Sequence, residues 1–237
     1  MIKTAVIMAA GRGTRFGDAT KEIPKGFIHY KGKPMVIRSI ETLISGGIEK
    51  IIIGTGYHHE SYEALEATYP QIYCCFSPRF AQTNCLYTLW NCREKIGDED
   101  FLLLDSDLVY EQKAIDALQT TPSNSAILAT PVVKFQDSYF VEADADGRFV
   151  TWSKDKNSIS PCGELVGIHK ISNTFFKELC RRFERDFPSS ETSSYEPYFQ
   201  ELSNDGFPIY IKVESNLRWY EIDDAADLKI AEEDINL

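Results

Sequence analysis

The chain opens on an unbroken apolar run, Thr4–Met8, which reads as a buried strand and is followed at once by a glycine-rich stretch. From Pro34 to Leu43 the apolar positions Met35, Val36, Ile40 and Leu43 fall at helical spacing, with proline near the first turn. Ile51–Ile53 is β-branched and bounded by Gly54 and Gly56, which predicts a second strand. Ser61–Tyr69 reads as helix, Ile72–Phe76 as strand, Leu86–Ile96 as helix, and Phe101–Leu104 as a short strand that ends on Asp105, Ser106 and Asp107. This alternation predicts a mostly parallel sheet with helices on both faces. The second half is less regular. Strands are expected over Ala126–Val133, Tyr139–Ala143, Phe149–Trp152 and Glu164–His169, and a helix from about Thr174 to Phe183. The polar stretch Ser189–Ser194 reads as a mobile loop, Trp219–Ile222 as a late strand and Ala225–Glu233 as a closing helix. No repeat, low-complexity segment or linker interrupts the pattern, so one domain over residues 1–237 is expected.

Composition narrows the classes. With 237 residues, 43% hydrophobic and 26% charged, the chain can bury a full core. A net charge of −11 repels nucleic acid and anionic membranes, so neither is expected as a partner. A small anion is still compatible, because a local cluster of Arg, Lys and backbone N–H groups overrides the global field at short range. The six cysteines, Cys74, Cys75, Cys85, Cys92, Cys162 and Cys180, contain no C-x-x-C pair; they give zinc little support and read as reduced thiols of a cytosolic protein. No signal peptide is evident, and no apolar run approaches the roughly 18 residues of a membrane span. A cytoplasmic location is therefore expected.

The strongest local feature is Ala9-Ala10-Gly11-Arg12-Gly13-Thr14-Arg15-Phe16-Gly17, directly after the first strand. Small residues let phosphate approach the main chain, and successive N–H groups can cradle its oxygens. Met8, Ala9, Ala10, Gly11, Gly13 and Thr14 are the expected seat, with Arg15 adding a charge-assisted contact. The spacing is not a dinucleotide fingerprint, because Phe16 stands where a third glycine would, and no Gly-Lys-Ser/Thr follows. Taken alone, two glycines in a βα turn have a purely steric reading. Pro24-Lys25 follows before the next helix, and Asp105-Ser106-Asp107 closes a predicted strand, where ligand sites of open α/β sheets gather. Taken alone, that acidic pair reads more readily as a turn that caps the next helix. A second acidic group, Glu221-Ile222-Asp223-Asp224, lies far along the chain, and Asp224 reads readily as the cap of the last helix.

Together, Gly11-x-Gly13-Thr14-Arg15-Phe16 and Pro24-Lys25 closely resemble the nucleotidyltransferase family that includes sugar-phosphate nucleotidyltransferases and cytidylyltransferases. The resemblance implies a three-layer α/β/α Rossmann-like fold with a mixed, mainly parallel sheet. It places Lys25 against a triphosphate and makes Asp107 and Asp223 the ligands of Mg²⁺, with Ser106 near the nucleotide and Asp105 buttressing Asp107. Lys25, Arg15 and Asp107 become the catalytic candidates. Residues about 1–125 would bind nucleotide, about 126–220 would elaborate the acceptor side, and about 224–235 would form the closing helix.

The run Phe80–Trp90 and the segment Trp219–Asp223 resemble the branch containing choline-phosphate cytidylyltransferase. Ile23–Phe27, Phe135–Tyr139 and Gly163–His169 resemble its phosphonate neighbour, 2-aminoethylphosphonate cytidylyltransferase, and Gly26 stands where Ala or Pro is common elsewhere. By this likeness Gln82, Thr83 and Asn84 would read the cytosine or ribose, although Thr83 and Asn84 also make good helix caps. Lys154, or else Lys156, would hold the acceptor anion. Asp137, Glu164 and Glu196 are the candidate partners of an ammonium group, and Tyr139, Tyr195 and Trp219 the candidate aromatic walls, although each aromatic, taken alone, is more at home in a core. The expected reaction is CMP transfer from CTP to 2-aminoethylphosphonate with release of pyrophosphate. The alternatives are the same transfer to phosphocholine, a sugar-1-phosphate nucleotidyltransferase, and a nucleotide-binding regulator without turnover.

Overall fold

Strand β1 (Thr4–Ala9) is buried along its whole length and divides the core in two. Its alternate residues face opposite ways, as the two-residue period of a strand requires. Ala5, Ile7 and Ala9 join one apolar cluster, and Val6 and Met8 the other. The computed structural model, which describes residues 1–132 and 138–237, continues from β1 through 3₁₀ turns at Thr14–Thr20 and Lys25–Phe27 into a small hairpin, β2 (His29–Tyr30) and β3 (Lys33–Pro34). Then follow α1 (Met35–Ser45), β4 (Lys50–Thr55), α2 (His59–Glu63), β5 (Ile72–Phe76), α3 (Cys85–Asn91), α4 (Arg93–Ile96), β6 (Phe101–Asp105), β7 (Leu108–Tyr110), α5 (Lys113–Thr120) and β8 (Ala126–Thr130). The remainder is β9 (Phe140–Ala143), β10 (Phe149–Ser153), β11 (Gly163–Ile171), α6 (Asn173–Asp186), α7 (Glu196–Asn204), β12 (Tyr210–Val213), β13 (Trp219–Glu221) and α8 (Ala225–Asp234).

The main sheet runs β10-β9-β11-β6-β1-β4-β5, with β8 also on β11 and β12 on β8. The half made of β6, β1, β4 and β5 is parallel, as the alternation predicts. The long strand β11 is antiparallel to β6, β8 and β9, so the sheet is mixed. Helices α1 and α5 cover one face through Val36, Ile40, Leu43, Ile115 and Leu118. Helices α3, α6 and α7 cover the other through Leu86, Leu89, Phe176, Phe183 and Phe199. A third cluster, including Tyr30, Met35, Val109 and Ile222, seats α8 against the β2–β3 hairpin. Among the described residues no helix is long and apolar enough to cross a membrane.

Several expectations need correction. The helix expected over Ser61–Tyr69 is a short α2 that passes into a 3₁₀ turn at Ala64–Ala67. The one expected over Leu86–Ile96 breaks at Cys92 into α3 and α4. The strand expected to reach Val133 ends at Thr130, and Val133 lies outside the described residues. Ser189–Ser194 packs as hydrogen-bonded turns rather than a free loop. Ser190 is buried and donates to the Phe183 carbonyl at 3.0 Å, and Glu191 pairs with Arg79 at 2.6 Å.

Candidate active site

The parallel strands deliver the site to one edge of the sheet. β1 runs into the Gly11–Arg15 loop, and the turn after β6 is tied to it by a hydrogen bond from Ser106 N to Met8 O at 3.2 Å. The distant acidic groups meet through the small antiparallel pair β7–β13. Leu108 sits opposite Glu221, and Ile222 N donates to Asp107 O at 2.9 Å. That register sets Asp107 beside Glu221 and Asp223, each offering a carboxylate oxygen within 4.8 Å of the others.

Lys25 lies between two of these acids. Its Nζ is 2.5 Å from Asp107 Oδ2 and 2.6 Å from Asp223 Oδ1, and Arg15 reaches the other oxygen of Asp223 at 2.6 Å. Burial alone would depress the lysine, but Asp107 and Asp223 outweigh it and hold the ammonium above its ordinary value. Gly13 makes room for this arrangement. It sits at φ 60°, and a Cβ there would lie 2.9 Å from Lys25 Cβ. Asp107 Oδ1 is buried and has no hydrogen-bond partner among the described residues. Two or three hard oxygens around an orphaned carboxylate atom fit a divalent cation such as Mg²⁺.

The cleft has two connected parts. One, of about 240 Å³, is walled by Met8, Gly11, Gly13, Thr14 and Arg15, with Lys25, Ser106, Asp107 and Asp223 opposite. The other, of about 160 Å³, runs past Ala10, Phe80, Thr83 and Asn84, and the two share Met8, Gly11 and Asp105. Ala9 faces the core instead, and exposed Gln82 is in neither wall. Thr83 and Asn84 also serve locally: Thr83 Oγ1 donates to Arg79 O at 2.8 Å, and Asn84 caps α3 by accepting from Cys85 N at 2.7 Å. Asp224 caps α8 by accepting from Ala226 N and Asp227 N.

The acceptor candidates do not form one cluster. Exposed Lys154 holds Nζ 4.8 Å from the Tyr139 ring, which meets Trp152 edge-on at 4.6 Å; Lys156 is half-buried. Glu164 is fully buried and accepts from Ser138 Oγ at 2.6 Å. Trp219 is a core residue whose indole N–H donates to Thr130 Oγ1, so it is not an open wall. Tyr195 is likewise buried, and its hydroxyl lies 3.2 and 3.3 Å from the two oxygens of Asp105. It braces that carboxyl rather than lining a cage. Burial, then Asp107, Glu196 and Glu221, push Asp105 well above the carboxylate range. Glu196 Oε2 is buried without a hydrogen-bond partner among the described residues. Asp137 lies outside those residues.

Two contributors escaped the sequence reading. Glu221, noted only as part of the second acidic group and given no role, ends β13 two residues before Asp223, and its carboxylate joins those of Asp107 and Asp223. Tyr62 reaches the cleft from α2 and hydrogen-bonds with the Gly26 backbone and Ser106, which no linear motif announces.

The family model described as nucleotidyl transferase matches residues 4–145. A CMP-5'-(3-aminopropyl)phosphonate synthase of Streptomyces rubellomurinus is 26% identical over 96% of this chain, which spans only 38% of that protein's length. A 2-aminoethylphosphonate cytidylyltransferase of Lancefieldella rimae is 28% identical over 75% of this chain and 70% of its own length. Among solved structures, an inositol-1-phosphate CTP transferase from T. maritima superposes with a TM-score of 0.80 at 17% identity, covering 100% of this chain and 98% of the other.

Proposed function

Because this chain belongs to the nucleotidyl transferase family, we propose that it transfers CMP from CTP to 2-aminoethylphosphonate and releases pyrophosphate. The observation that carries the reaction class is Lys25 held between Asp107 and Asp223 at the mouth of the glycine-rich loop. In this reading the Gly11–Thr14 backbone cradles the phosphates, and Lys25 and Arg15 offset the charge that grows as pyrophosphate leaves. An acceptor oxygen attacks the α-phosphorus in line, so no protein nucleophile is required and the chain acts by positioning and neutralising. Asp107 and Asp223, with Glu221 beside them, would hold Mg²⁺, which supplies further neutralisation of phosphate charge when bound.

The choice of cytidine rests on the named activities of the relatives, two of which act on aminoalkylphosphonates. The choice of a primary amine has a second support among the acceptor-side candidates, which line neither part of the cleft. A primary ammonium offers three N–H donors and a trimethylammonium none. The partnerless Oε2 of Glu196 suits the former, whereas the Tyr139 face that could receive a quaternary ammonium already has the Lys154 ammonium over it. The test is competition between 2-aminoethylphosphonate and phosphocholine at equal concentration with limiting CTP, alongside pyrophosphate release with a sugar 1-phosphate. The phosphonate product is expected to dominate. A majority of CDP-choline would overturn the acceptor and leave the cytidylyl transfer standing; pyrophosphate release with none of the acceptors would overturn the reaction.

A further inference from the structure

The smaller part of the cleft is walled in part by Thr83 and Asn84, which end a turn that begins at Arg79. Inside that turn Gln82 N, Thr83 N and Thr83 Oγ1 all donate to the Arg79 carbonyl, at 2.9, 3.0 and 2.8 Å. From outside, the turn is fastened by residues 187–195, the connection between α6 and α7. Glu191 holds both of its ends. The Glu191 carboxylate accepts from Arg79 Nη2 at 2.6 Å, and the Glu191 carbonyl accepts from Asn84 N at 3.2 Å. Thr192 O accepts from Asn84 Nδ2 at 3.3 Å while Asn84 Oδ1 caps α3, so both ends of that amide are engaged within the protein. The Arg79 guanidinium also lies over the rings of Tyr87 and Phe187, with centroids 5.8 and 6.0 Å away. At the far end of the connection the Tyr195 hydroxyl lies 3.2 Å from Asp105 Oδ1, and Asp105 borders both parts of the cleft. The connection is itself fixed on its own side. Glu191 N donates to Pro188 O at 3.1 Å, Ser193 N to Ser190 O at 2.9 Å, and the Tyr195 ring stacks on Phe199 at 5.2 Å.

We propose that Arg79 and Glu191 are positioning residues for the nucleotide's base, acting through the Thr83–Asn84 wall. The inference rests on the cytidylyl-transfer reading, with the triphosphate against the Gly11–Arg15 loop and the base in the smaller part of the cleft. The ion pair adds little stability by itself, because its side chains are 43% and 28% exposed. Its consequence is geometric. With the pair broken, the turn keeps its bonds to the Arg79 carbonyl, but the side-chain tether that sets its distance from α7 is gone. The nucleotide must then order that wall as it binds, and the ordering subtracts from affinity. The phosphate seat stands apart from this effect. It is built on the loop after β1 and on Lys25, and neither part touches the α6–α7 connection through Arg79 or Glu191.

Base and phosphate are separated by measuring direct binding of CTP and of inorganic tripolyphosphate, each with Mg²⁺. Arg79→Met keeps the apolar stem and removes the guanidinium. Glu191→Ala removes the carboxylate and leaves the carbonyl bond to Asn84. Each variant should bind CTP about three- to fivefold more weakly and tripolyphosphate as the wild type does. The double variant should lose no more than the worse of the two singles, because the pair acts as one unit. Arg79→Lys, which keeps a cation, should recover part of the loss. Wild-type CTP affinity in both single variants would overturn the role. So would an equal loss for CTP and tripolyphosphate, since a general loosening of the fold moves both. A wild-type chain that binds tripolyphosphate but not CTP would instead overturn the nucleotide reading beneath it.

Discussion

Lys25 is the residue on which the cleft's electrostatics turn. It stands 11% exposed between carboxylates that are 17% and 15% exposed, shielded enough for charge to matter more than on an open surface. The same ammonium that balances Asp107 and Asp223 would face the triphosphate in the proposed reaction. Lys25→Ala is therefore expected to lower kcat/KM for CTP on the order of 10²–10³-fold, with the fold retained by circular dichroism. An unchanged kcat/KM would make Lys25 a loop residue that merely balances two acids. The residues of the glycine-rich loop, Lys25, Asp107 and Asp223 were legible because a loop motif and two strand-end acids have linear signatures. Tyr195 was not, because its partner Asp105 lies 90 residues away and only packing joins them. Glu196 and Glu164 were named from charge alone, which cannot tell a buried carboxylate from an exposed one.

At the scale of elements, Gly26 explains how the 3₁₀ turn bearing Lys25 is clamped. A Cβ at Gly26 would lie 2.8 Å from the Tyr62 hydroxyl, 3.3 Å from Val36 Cβ and 3.4 Å from Ser106 O, so α2, α1 and the turn after β6 all converge on a residue without a side chain. Gly26→Ala should overpack this junction and cost about 1–3 kcal/mol of stability by denaturant unfolding. Tyr62→Phe removes the nearest atom, so Gly26→Ala should cost less in that background, by a coupling of about 1 kcal/mol. Strictly additive costs would show that the hydroxyl is not the obstacle. The parallel half of the sheet was readable because each buried strand is an apolar run between turn residues. α7 was not read because Glu196-Pro197 follows a polar stretch and hides its start, and β12 because Tyr210–Val213 includes Lys212 and is only partly buried. α5 does carry a helical signal in Ala114, Ile115, Ala117 and Leu118, which went unread between stronger neighbours.

At the scale of the molecule, β11 is the seam between the parallel half and the antiparallel extension, and His169 lies on it in register with Leu103 of β6 and Ile127 of β8. Its ring is 1% exposed, meets Tyr195 and Phe199 edge-on at 5.9 and 5.6 Å, and neither nitrogen has a hydrogen-bond partner among the described residues. Burial alone lowers it to about 3. The sign follows from linkage. Below the ordinary histidine value near 6.5 the unfolded chain takes up a proton that the folded chain refuses, so stability is fully present above that pH and falls as pH drops toward about 3. One such proton corresponds to ~1.4 kcal/mol per pH unit, or about 2 kcal/mol between pH 6.5 and pH 5. Replacing the ring adds a packing cost of its own, but that cost does not depend on pH, and the carboxylates titrate in both proteins. Denaturant unfolding of the wild type and His169→Leu at pH 7 and pH 5 therefore isolates the histidine. The wild type should lose about 2 kcal/mol more than the variant over that interval, and equal losses would mean that His169 takes up its proton inside the folded seam.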